Sequence, residues 1–435
     1  MVWNADQPAS GARQANLGGT MADPTPLILS EYGDNASGGW QAGSAEVIHS
    51  YDPNARPSVQ MYAFGGSGVQ NPSGGTPVYS QGGNATASVS SNPVTTSENG
   101  DLALWATGGD GSEGGDATVT IHDLDVTLPW LTLHGSAQGG DAQPGGTDGN
   151  ATVTVRDTTI RLQGFGAYFA GGFIVSSFSD SGATDGVSKI VLIDNNWYGD
   201  DQINLFGLLF TTNEADSAID DPATVTFKGN VIDLGGGTDV MTIQELRGTS
   251  LFFDPGSNRI DGGDGYDVLG FESDTGVTID LPRDGFVNFE FVMGSAADDT
   301  FIDGDGSTTF MPGGGTNKVE GRNGNDTFML GFGIDDYDGG EGIDTVDLSQ
   351  STVPAKITLW AFEAIGDGMA HLWSIENAVG SAFDDEIYGD FGGNDLIGGD
   401  GNDLIEIGRQ WRSFLPDADF VAPHAPERCT MSPMG

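Results

Sequence analysis

The chain of 435 residues is poor in cysteine, in basic residues and in long apolar runs. Its one cysteine, Cys429, excludes a disulfide within the chain, so an exported form needs another source of stability. No stretch approaches the roughly 18 apolar residues of a transmembrane helix, and the first residues lack the apolar core of a cleavable signal peptide. Lys and Arg number 15 against 63 Asp and Glu, a net charge of −48. We therefore expect no nucleic-acid partner and no membrane insertion, and we expect cations to bind.

Motifs of the common hydrolases and nucleotide-binding proteins are also missing. The sequence contains no HExxH zinc motif, no GxSxG nucleophile elbow and no GxxxxGK[ST] phosphate loop. The segment 109–114 fits GxGxxG, but it leads into a strand pattern and is interpreted as a glycine turn. The main interpretation is that the chain has no catalytic residues.

One weak catalytic candidate remains, in a stretch where acidic and aromatic residues alternate. Asp194, Asp200 and Asp201 flank Trp197, and carboxylates beside an aromatic ring suit a bound sugar. The alternative is structural, because the neighbouring asparagines are typical of turns and the aromatic side chains can pack between coils. This candidate would make the chain a polysaccharide lyase, hydrolase or epimerase.

Glycine is abundant, at 70 residues, and it separates short segments in which apolar and polar residues alternate. Such alternation predicts β-strands, and its recurrence at long intervals favours a parallel β-helix or a related solenoid. Helical periodicity is almost absent. The recurring segments are SAEVIH (44–49), NATASV (84–89), DATVTI (116–121), NATVTV (150–155), VSKIVL (187–192) and PATVTF (222–227).

A regular repeat follows, because residues 294–347 divide into six nonapeptides without remainder. In most of them positions 2 and 4 are Gly, position 6 is Asp and position 8 is apolar. A short strand with one inward side chain, followed by a glycine turn, explains this pattern, and two nonapeptides complete one coil. The predicted inward residues are Phe301, Phe310, Val319, Phe328, Tyr337 and Val346.

The aspartates of this repeat would then stand in rows at the turns. Carboxylates at such spacing repel one another, and a hard cation with oxygen ligands removes the repulsion. The pattern resembles the GGxGxDxUx repeat of RTX (hemolysin-type) calcium-binding proteins, which form a parallel β-roll. The resemblance implies several bound Ca²⁺ ions, held by position-6 aspartates and by carbonyls of the turn glycines. In this arrangement Asp326 and Asp344 share one row and Asp335 belongs to the other.

The same signature occurs at 262–270 and at 380–406, and a looser form at 229–243. Thr308, Asn317 and Asn394 replace Asp at position 6, so we expect weaker or vacant sites there. The predicted metal-binding residues are Asp239, Asp267, Asp299, Asp326, Asp335, Asp344, Asp385, Asp403, Gly263, Gly265, Gly324, Gly340, Gly342, Gly399 and Gly401.

The predicted fold is all-β, a right-handed parallel β-solenoid whose β-helix-like first part continues into an RTX β-roll. We expect an irregular lead (1–42), a β-helix-like region (43–229), the β-roll with interleaved strands (230–407) and an irregular tail (408–435). Two unrelated β domains that meet near residue 230 are the alternative. The tail lacks the repeat pattern, and an altered or truncated end is an alternative to a functional tail.

The resemblance also implies a biological setting. RTX-like chains are exported in one step by type I secretion machinery and fold outside the cell when Ca²⁺ binds. We therefore expect an extracellular protein, either free or attached to the cell surface, with a non-catalytic role in adhesion or matrix association. Its partners would be calcium ions and a surface polysaccharide or matrix. The alternative is the secreted polysaccharide-active enzyme described above.

Overall fold

The structure is a computed structural model, and almost all of the described chain is β-strand. It describes residues 27–33, 43–51, 58–67, 69–70, 78–79, 81–164, 166–177, 183–200, 204–212, 223–246, 249–406 and 428–430. These residues fall into two compact units, Met1–Gly265 and Tyr266–Gly435. The helical residues are a single turn, α1 (Leu281–Asp284), and a 3-10 turn at Leu359–Ala361. None of the helices in the described residues has the length and apolar character needed to cross a membrane.

In the described residues of the amino-terminal unit the chain forms three parallel sheets, and from residue 85 onward each coil adds one strand to each sheet. Sheet A contains β1 (Leu27–Tyr32), β3 (Ser58–Phe64), β8 (Gly100–Thr107), β11 (Trp130–Gln138), β14 (Ala167–Ser176), β17 (Asn204–Thr212) and β21 (Val240–Leu246). Sheet B contains β2 (Ala45–Tyr51), β6 (Ala85–Ser91), β9 (Ala117–His122), β12 (Ala151–Arg156), β15 (Ser188–Ile193), β18 (Ala223–Lys228) and β22 (Thr249–Phe253). Sheet C contains β7 (Val94–Thr95), β10 (Asp125–Leu128), β13 (Thr159–Leu162), β16 (Asn196–Tyr198), β19 (Val231–Asp233) and β23 (Arg259–Asp261).

The six alternating segments found in the sequence are successive strands of sheet B, β2 to β18. Their register keeps like residues in contact, since Ala151 pairs with both Ala117 and Ser188 and Val153 pairs with both Val119 and Ile190. The apolar residue of each pair faces inward and its Thr neighbour is partly exposed. The strand prediction from alternation is therefore confirmed.

Where the chain passes from sheet B to sheet C, amide side chains stack inside the turn. The side chain of Asn195 donates to Oδ1 of Asn230 at 2.9 Å, and that of Asn230 donates to Oδ1 of Asn258 at 3.2 Å. Asn195 is fully buried, and its own Oδ1 accepts the hydroxyl of Thr158 at 2.7 Å. The Oδ1 of each buried amide thus accepts hydrogen bonds from the coil before it. These bonds fix the register in which the coils stack.

The carboxy-terminal unit has two stacked sheets. Sheet D contains β25 (Val268–Ser273), β28 (Phe291–Met293), β30 (Thr309–Met311), β33 (Thr327–Met329), β35 (Thr345–Asp347), β39 (Asn377–Val379), β41 (Asp395–Ile397) and β43 (Arg428–Thr430). Sheet E contains β26 (Thr278–Asp280), β29 (Thr300–Ile302), β32 (Lys318–Glu320), β34 (Phe332–Asp338), β36 (Lys356–Thr358), β37 (Glu363–Ile365), β38 (Met369–Trp373), β40 (Glu386–Tyr388) and β42 (Leu404–Glu406).

The remaining strands are short. They are β4 (Val69–Gln70), β5 (Val78–Tyr79), β20 (Gly236–Gly237), β24 (Asp264–Gly265), β27 (Phe286–Val287) and β31 (Gly314–Gly315). Pairing is parallel except at β4–β5, in the β36–β37–β38 insertion and where β43 lies against β41.

Successive nonapeptides alternate between the two sheets, so one coil is 18 residues long, as predicted. Phe310 pairs with Phe328, and Phe328 with Val346, along sheet D. Along sheet E, Val319 pairs with both Phe301 and Tyr337. All six predicted inward side chains are completely buried. Burial of a side chain of this size contributes about 1.5–3 kcal/mol, so this narrow stack is the core of the unit. The all-β parallel solenoid predicted from the sequence is the fold observed.

Candidate metal centre

The position-6 residues form two ladders, one on each side of the inward stack. The first ladder precedes the strands of sheet D and includes Thr308, Asp326 and Asp344. Oδ1 of Asp326 accepts the backbone N–H of Thr308 at 2.8 Å, and Oδ1 of Asp344 accepts that of Asp326 at 2.7 Å. Each carboxylate therefore receives the N–H of the equivalent residue one coil earlier, which holds the carboxylates in a row.

The second ladder precedes the strands of sheet E and follows the same rule. Oδ1 of Asn317 accepts the backbone N–H of Asp299 at 2.9 Å, and Oδ1 of Asp335 accepts that of Asn317 at 3.1 Å. Further along, Asp403 accepts the N–H of Asp385 at 3.0 Å. Asp326 and Asp344 thus share one row and Asp335 lies in the other, as the nonapeptide period predicts.

Asp239 has the same geometry within the amino-terminal unit. Its Oδ1 accepts the backbone N–H of Asn204 at 2.6 Å, one coil earlier, and the Asp239 side chain is buried. Asn204 in turn precedes the inward residue Phe206 by two positions, like a position-6 residue. The ladder arrangement is therefore present before the regular repeats begin.

Two glutamates missed in the sequence complete the first ladder. Oε2 of Glu290 accepts the N–H of Asp267 at 2.8 Å, and Oε2 of Glu376 accepts that of Asp344 at 2.9 Å. Each stands two residues before an inward side chain, Val292 or Ala378, which is the spacing between positions 6 and 8. That spacing, applied to Glu as well as Asp, would have identified both.

Asp303, also missed, supplies a carboxylate where position 6 is Thr308. It stands at position 1 of its repeat, is buried, and receives the Thr308 hydroxyl and the N–H of Gly304, the latter at 2.7 Å. In the next two repeats of the same ladder position 1 is glycine, Gly321 and Gly339, and a side chain there would collide with the carboxylate of Asp326 or Asp344. The repeat with Thr308 was expected to be a weak or vacant site, yet it keeps a buried acid.

The predicted glycines lie in the turns beside these carboxylates. All seven adopt positive φ, a region open to glycine at little steric cost. Gly340 has φ of 93°, and a Cβ on it would meet the backbone of Arg322 in the preceding coil. The turns therefore pack backbone against backbone. A Cβ on Gly321 would meet both Oδ2 of Asp326 and the carbonyl oxygen of Gly339, so a turn carbonyl lies beside this carboxylate.

The carboxylates of the first ladder are buried and strongly perturbed. Burial, together with the negative charges of Asp303 and Asp344, raises the pKa of Asp326 to about 7. Burial also raises the pKa of Asp344. Oδ2 of Asp326 and Oδ2 of Asp344 are shielded from solvent and have no hydrogen-bond donor. A buried carboxylate oxygen without a donor is costly, and a bound cation or proton would relieve that cost.

These donors are the hard oxygen ligands that Ca²⁺ prefers. In the described residues, no group of three or more His, Cys, Asp or Glu side chains comes close enough to hold a metal ion alone. A metal site here would therefore need backbone carbonyls besides the carboxylates, and the turn glycines present such carbonyls beside the ladders. With that addition, the residues present fit a calcium ion.

The weak catalytic candidate does not form a sugar platform. Trp197 is buried, packs against Phe169 with ring centroids 4.8 Å apart, and donates from Nε1 to the Thr158 hydroxyl at 2.9 Å. Asp200 accepts the N–H of Gly164 at 2.7 Å. Asp194 occupies a left-handed turn with φ of 53°, and Asp201 lies outside the described residues. The aromatic side chain packs between coils, which was the structural alternative.

No protein-family model matches the chain, and no curated protein is significantly similar to it in sequence. The resemblance to RTX repeats therefore depends on the repeat pattern in the sequence and on the ladder geometry described above.

Proposed function

We propose that the protein is a secreted calcium-binding repeat protein whose carboxy-terminal unit is stabilised by Ca²⁺ outside the cell. Its role would be non-catalytic, in surface or matrix association or adhesion. The observation that carries this proposal is the pair of buried carboxylates Asp326 and Asp344, each with an oxygen that lacks a donor. Among the described residues, neither carboxylate has a Lys, Arg or His partner within ion-pair distance.

Calcium suits these ladders better than the other common metal ions. Zn²⁺ takes mostly thiolate and imidazole ligands, and the ladder positions carry none. Mg²⁺ demands a near-ideal octahedral shell, whereas Ca²⁺ accepts irregular sets of carboxylates and carbonyls. Extracellular calcium modules bind with dissociation constants of about 10⁻⁴–10⁻³ M, so they fill outside the cell and stay empty in a low-calcium cytoplasm.

The charge of the chain supports export before folding. At a net charge of −48, self-repulsion opposes compaction until cations bind. A chain with a single cysteine has no internal disulfide, so bound metal would provide the stability that disulfides give other exported proteins. Type I secretion of an unfolded chain fits both properties.

For the amino-terminal unit we propose a binding surface for polysaccharide or matrix rather than an active site. Its stacked sheets offer a long, regular exterior. The competing proposal, a polysaccharide-active enzyme, loses its aromatic platform because Trp197 lies in the interior.

Calcium titration of the full chain tests the proposal. The chain is freed of metal with a chelator and titrated with Ca²⁺, with Mg²⁺ as control, while circular dichroism follows the strand content and calorimetry follows binding. We expect a calcium-dependent rise in melting temperature, and saturation at 100 times the dissociation constant would add about 2.7 kcal/mol per site. Identical melting curves in chelator and in millimolar Ca²⁺ would refute calcium binding.

A further inference from the structure

The repeats of the carboxy-terminal unit have two kinds of turn, which differ at position 2. In one kind position 2 has positive φ, as at Arg322 (65°) and Gly340 (93°). In the other kind position 2 has negative φ and is occupied by residues such as Ser295 and Ser381. We call the first kind open turns and the second kind closed turns. They differ in the hydrogen-bond donors that reach the carboxylate at position 6.

In the closed turns the carboxylate is saturated by donors of its own repeat and its neighbour. Asp299 accepts the N–H of Ser295 at 2.6 Å, the Ser295 hydroxyl at 3.0 Å and the N–H of Val277 at 2.7 Å. Asp385 repeats this arrangement with the N–H and hydroxyl of Ser381, each at 2.6 Å. Both oxygens of each carboxylate are therefore occupied without a cation.

Asp335, in the same ladder as Asp299, is satisfied in a related way. Its Oδ1 accepts the N–H and the side-chain amide of Asn317, and its Oδ2 accepts the Tyr337 hydroxyl at 2.8 Å. The N–H of Gly331, at position 2 of the same repeat, also donates to it. A carboxylate with donors on both oxygens can remain buried without a bound cation.

The open turns leave one oxygen of each carboxylate without a donor. Asp326 and Asp344 use Oδ1 for the N–H of the preceding coil, and their Oδ2 atoms are buried with no partner. Each Oδ2 points at the position-1 glycine of its own repeat, Gly321 or Gly339. Asp303 lies beside the same ladder, at position 1 rather than position 6 of its repeat. Position 2 of that repeat, Gly304, lacks positive φ, yet Oδ2 of Asp303 is also buried without a donor.

We propose that Ca²⁺ binds along one edge of the repeats at 294–347, at Asp303, Asp326 and Asp344. The closed turns at Asp299, Asp335 and Asp385 instead bind no cation, because internal hydrogen bonds already satisfy their carboxylates. This assignment rests on the proposed calcium binding and narrows it to particular turns. Asp403 lies on the second ladder, but its turn is open, with Gly399 at φ of 98°.

Replacement of aspartate by asparagine gives opposite expectations for the two kinds of turn. In Asp326→Asn the remaining carbonyl oxygen still accepts the Thr308 N–H, and a neutral amide replaces the buried charge. We expect this variant to melt at or above the wild-type temperature in chelator and to bind fewer Ca²⁺ ions. Its melting temperature should also rise less than that of the wild type when Ca²⁺ is added. In the matched variant Asp385→Asn, the new amide hydrogens face the donors of Ser381. We expect that variant to melt at a lower temperature in both chelator and Ca²⁺, with unchanged calcium stoichiometry.

The experiment uses the full chain, with melting temperature and calcium stoichiometry measured for both variants. Asp344→Asn and Ser381→Ala provide a second member of each class and should behave like Asp326→Asn and Asp385→Asn respectively. Loss of bound Ca²⁺ in Asp385→Asn equal to that in Asp326→Asn would overturn the one-edge assignment while leaving calcium binding intact. Failure of Asp326→Asn or Asp344→Asn to fold in chelator, under conditions in which the wild type folds, would also contradict it. Absence of calcium binding by the wild-type chain would instead refute the proposed function.

Discussion

The hydroxyl of Thr308 donates a hydrogen bond to the carboxylate of Asp303, five residues earlier. Together these two side chains stand in for the position-6 aspartate of the next two repeats in the same ladder, where position 1 is Gly321 or Gly339. In this repeat the acidic residue therefore stands at position 1 instead of position 6, and the repeat keeps one buried carboxylate. This exchange predicts that the two residues are energetically coupled.

Substitution at these two positions tests the coupling. Thr308→Asp alone places a second carboxylate beside Asp303, and the double variant Asp303→Gly/Thr308→Asp restores the regular pattern. We expect the single variant to be destabilised in chelator and the double variant to recover, with a coupling energy in the range of about 0.5–3 kcal/mol. Urea unfolding of the wild type, both single variants and the double variant gives that energy. Additive effects of the two substitutions would contradict the exchange.

The buried amide stack of the amino-terminal unit gives a second prediction. Asn195→Ala removes the acceptor of the Thr158 N–H and hydroxyl and the donor to the carbonyl of Val155. Each buried group left unsatisfied costs about 1–3 kcal/mol, so we expect a loss of several kcal/mol on denaturant unfolding.

Asn150→Ala is the control for this stack. Asn150 also bridges coils, accepting the N–H of Val187 and donating to Asp116, but it is exposed and water can replace its contacts. We expect its effect to remain below about 1 kcal/mol. Equal losses of unfolding free energy in the two variants would show that burial does not determine how much each amide contributes to stability.

A third prediction concerns the turn glycines. Gly340→Ala requires a non-glycine residue at φ of 93°, and its Cβ would meet the backbone of Arg322. Such strain costs about 1–3 kcal/mol before the clash is added. Gly304 occupies position 2 of another repeat without positive φ, and a Cβ there would be no closer than 4.0 Å to any neighbour. We therefore expect Gly304→Ala to change stability by less than about 0.5 kcal/mol in thermal unfolding. A comparable loss in Gly304→Ala would contradict this account of the turns.

Periodicity carried most of the fold prediction. The nine-residue frame identifies Phe301 and Phe328 as inward because a strand that contributes one apolar residue per repeat has only one way to bury it. The same frame assigns Asp326 and Asp335 to different ladders. Alternation likewise identifies the sheet B strands, whose Ala and Val residues face the core.

Contacts that depend on a particular turn could not be read from the repeat alone. The donors that saturate Asp299 come from Ser295 and from Val277 one coil earlier, and the repeat pattern does not show which conformation the turn at Ser295 adopts. The other two repeats of this ladder at 294–347 have glycine at position 1, so Asp303 looked like an irregularity rather than a substitute acid. Glu290 lies outside the regular frame, and only its spacing of two residues from the inward Val292 marks the ladder position that its longer side chain reaches. Trp197 showed no sequence signal that separates an inward aromatic from an exposed one.

The last prediction is a pH dependence in the absence of divalent cations. Burial first, and then the charges of Asp303 and Asp344, raise the pKa of Asp326 from 3.8 to about 7. The folded chain therefore holds this proton more tightly than the unfolded chain does. The resulting stability is fully present below pH 3.8 and is lost as the pH rises through about 7.

Other groups titrate too, so the contribution of Asp326 must be isolated by difference. Burial lowers the pKa of His49 and of His134, which acts in the opposite direction and destabilises the fold as the pH falls below 6.5. The free energy of unfolding of the wild type minus that of Asp326→Asn cancels these shared terms. Measured by urea unfolding in metal-free buffer with chelator, this difference should be more favourable to the wild type at pH 5 than at pH 8. At pH 5 the protonated carboxyl resembles the amide, whereas at pH 8 the wild type buries a charge that the variant lacks. A difference that stays constant between pH 5 and pH 8 would show that Asp326 does not hold a proton in the metal-free fold.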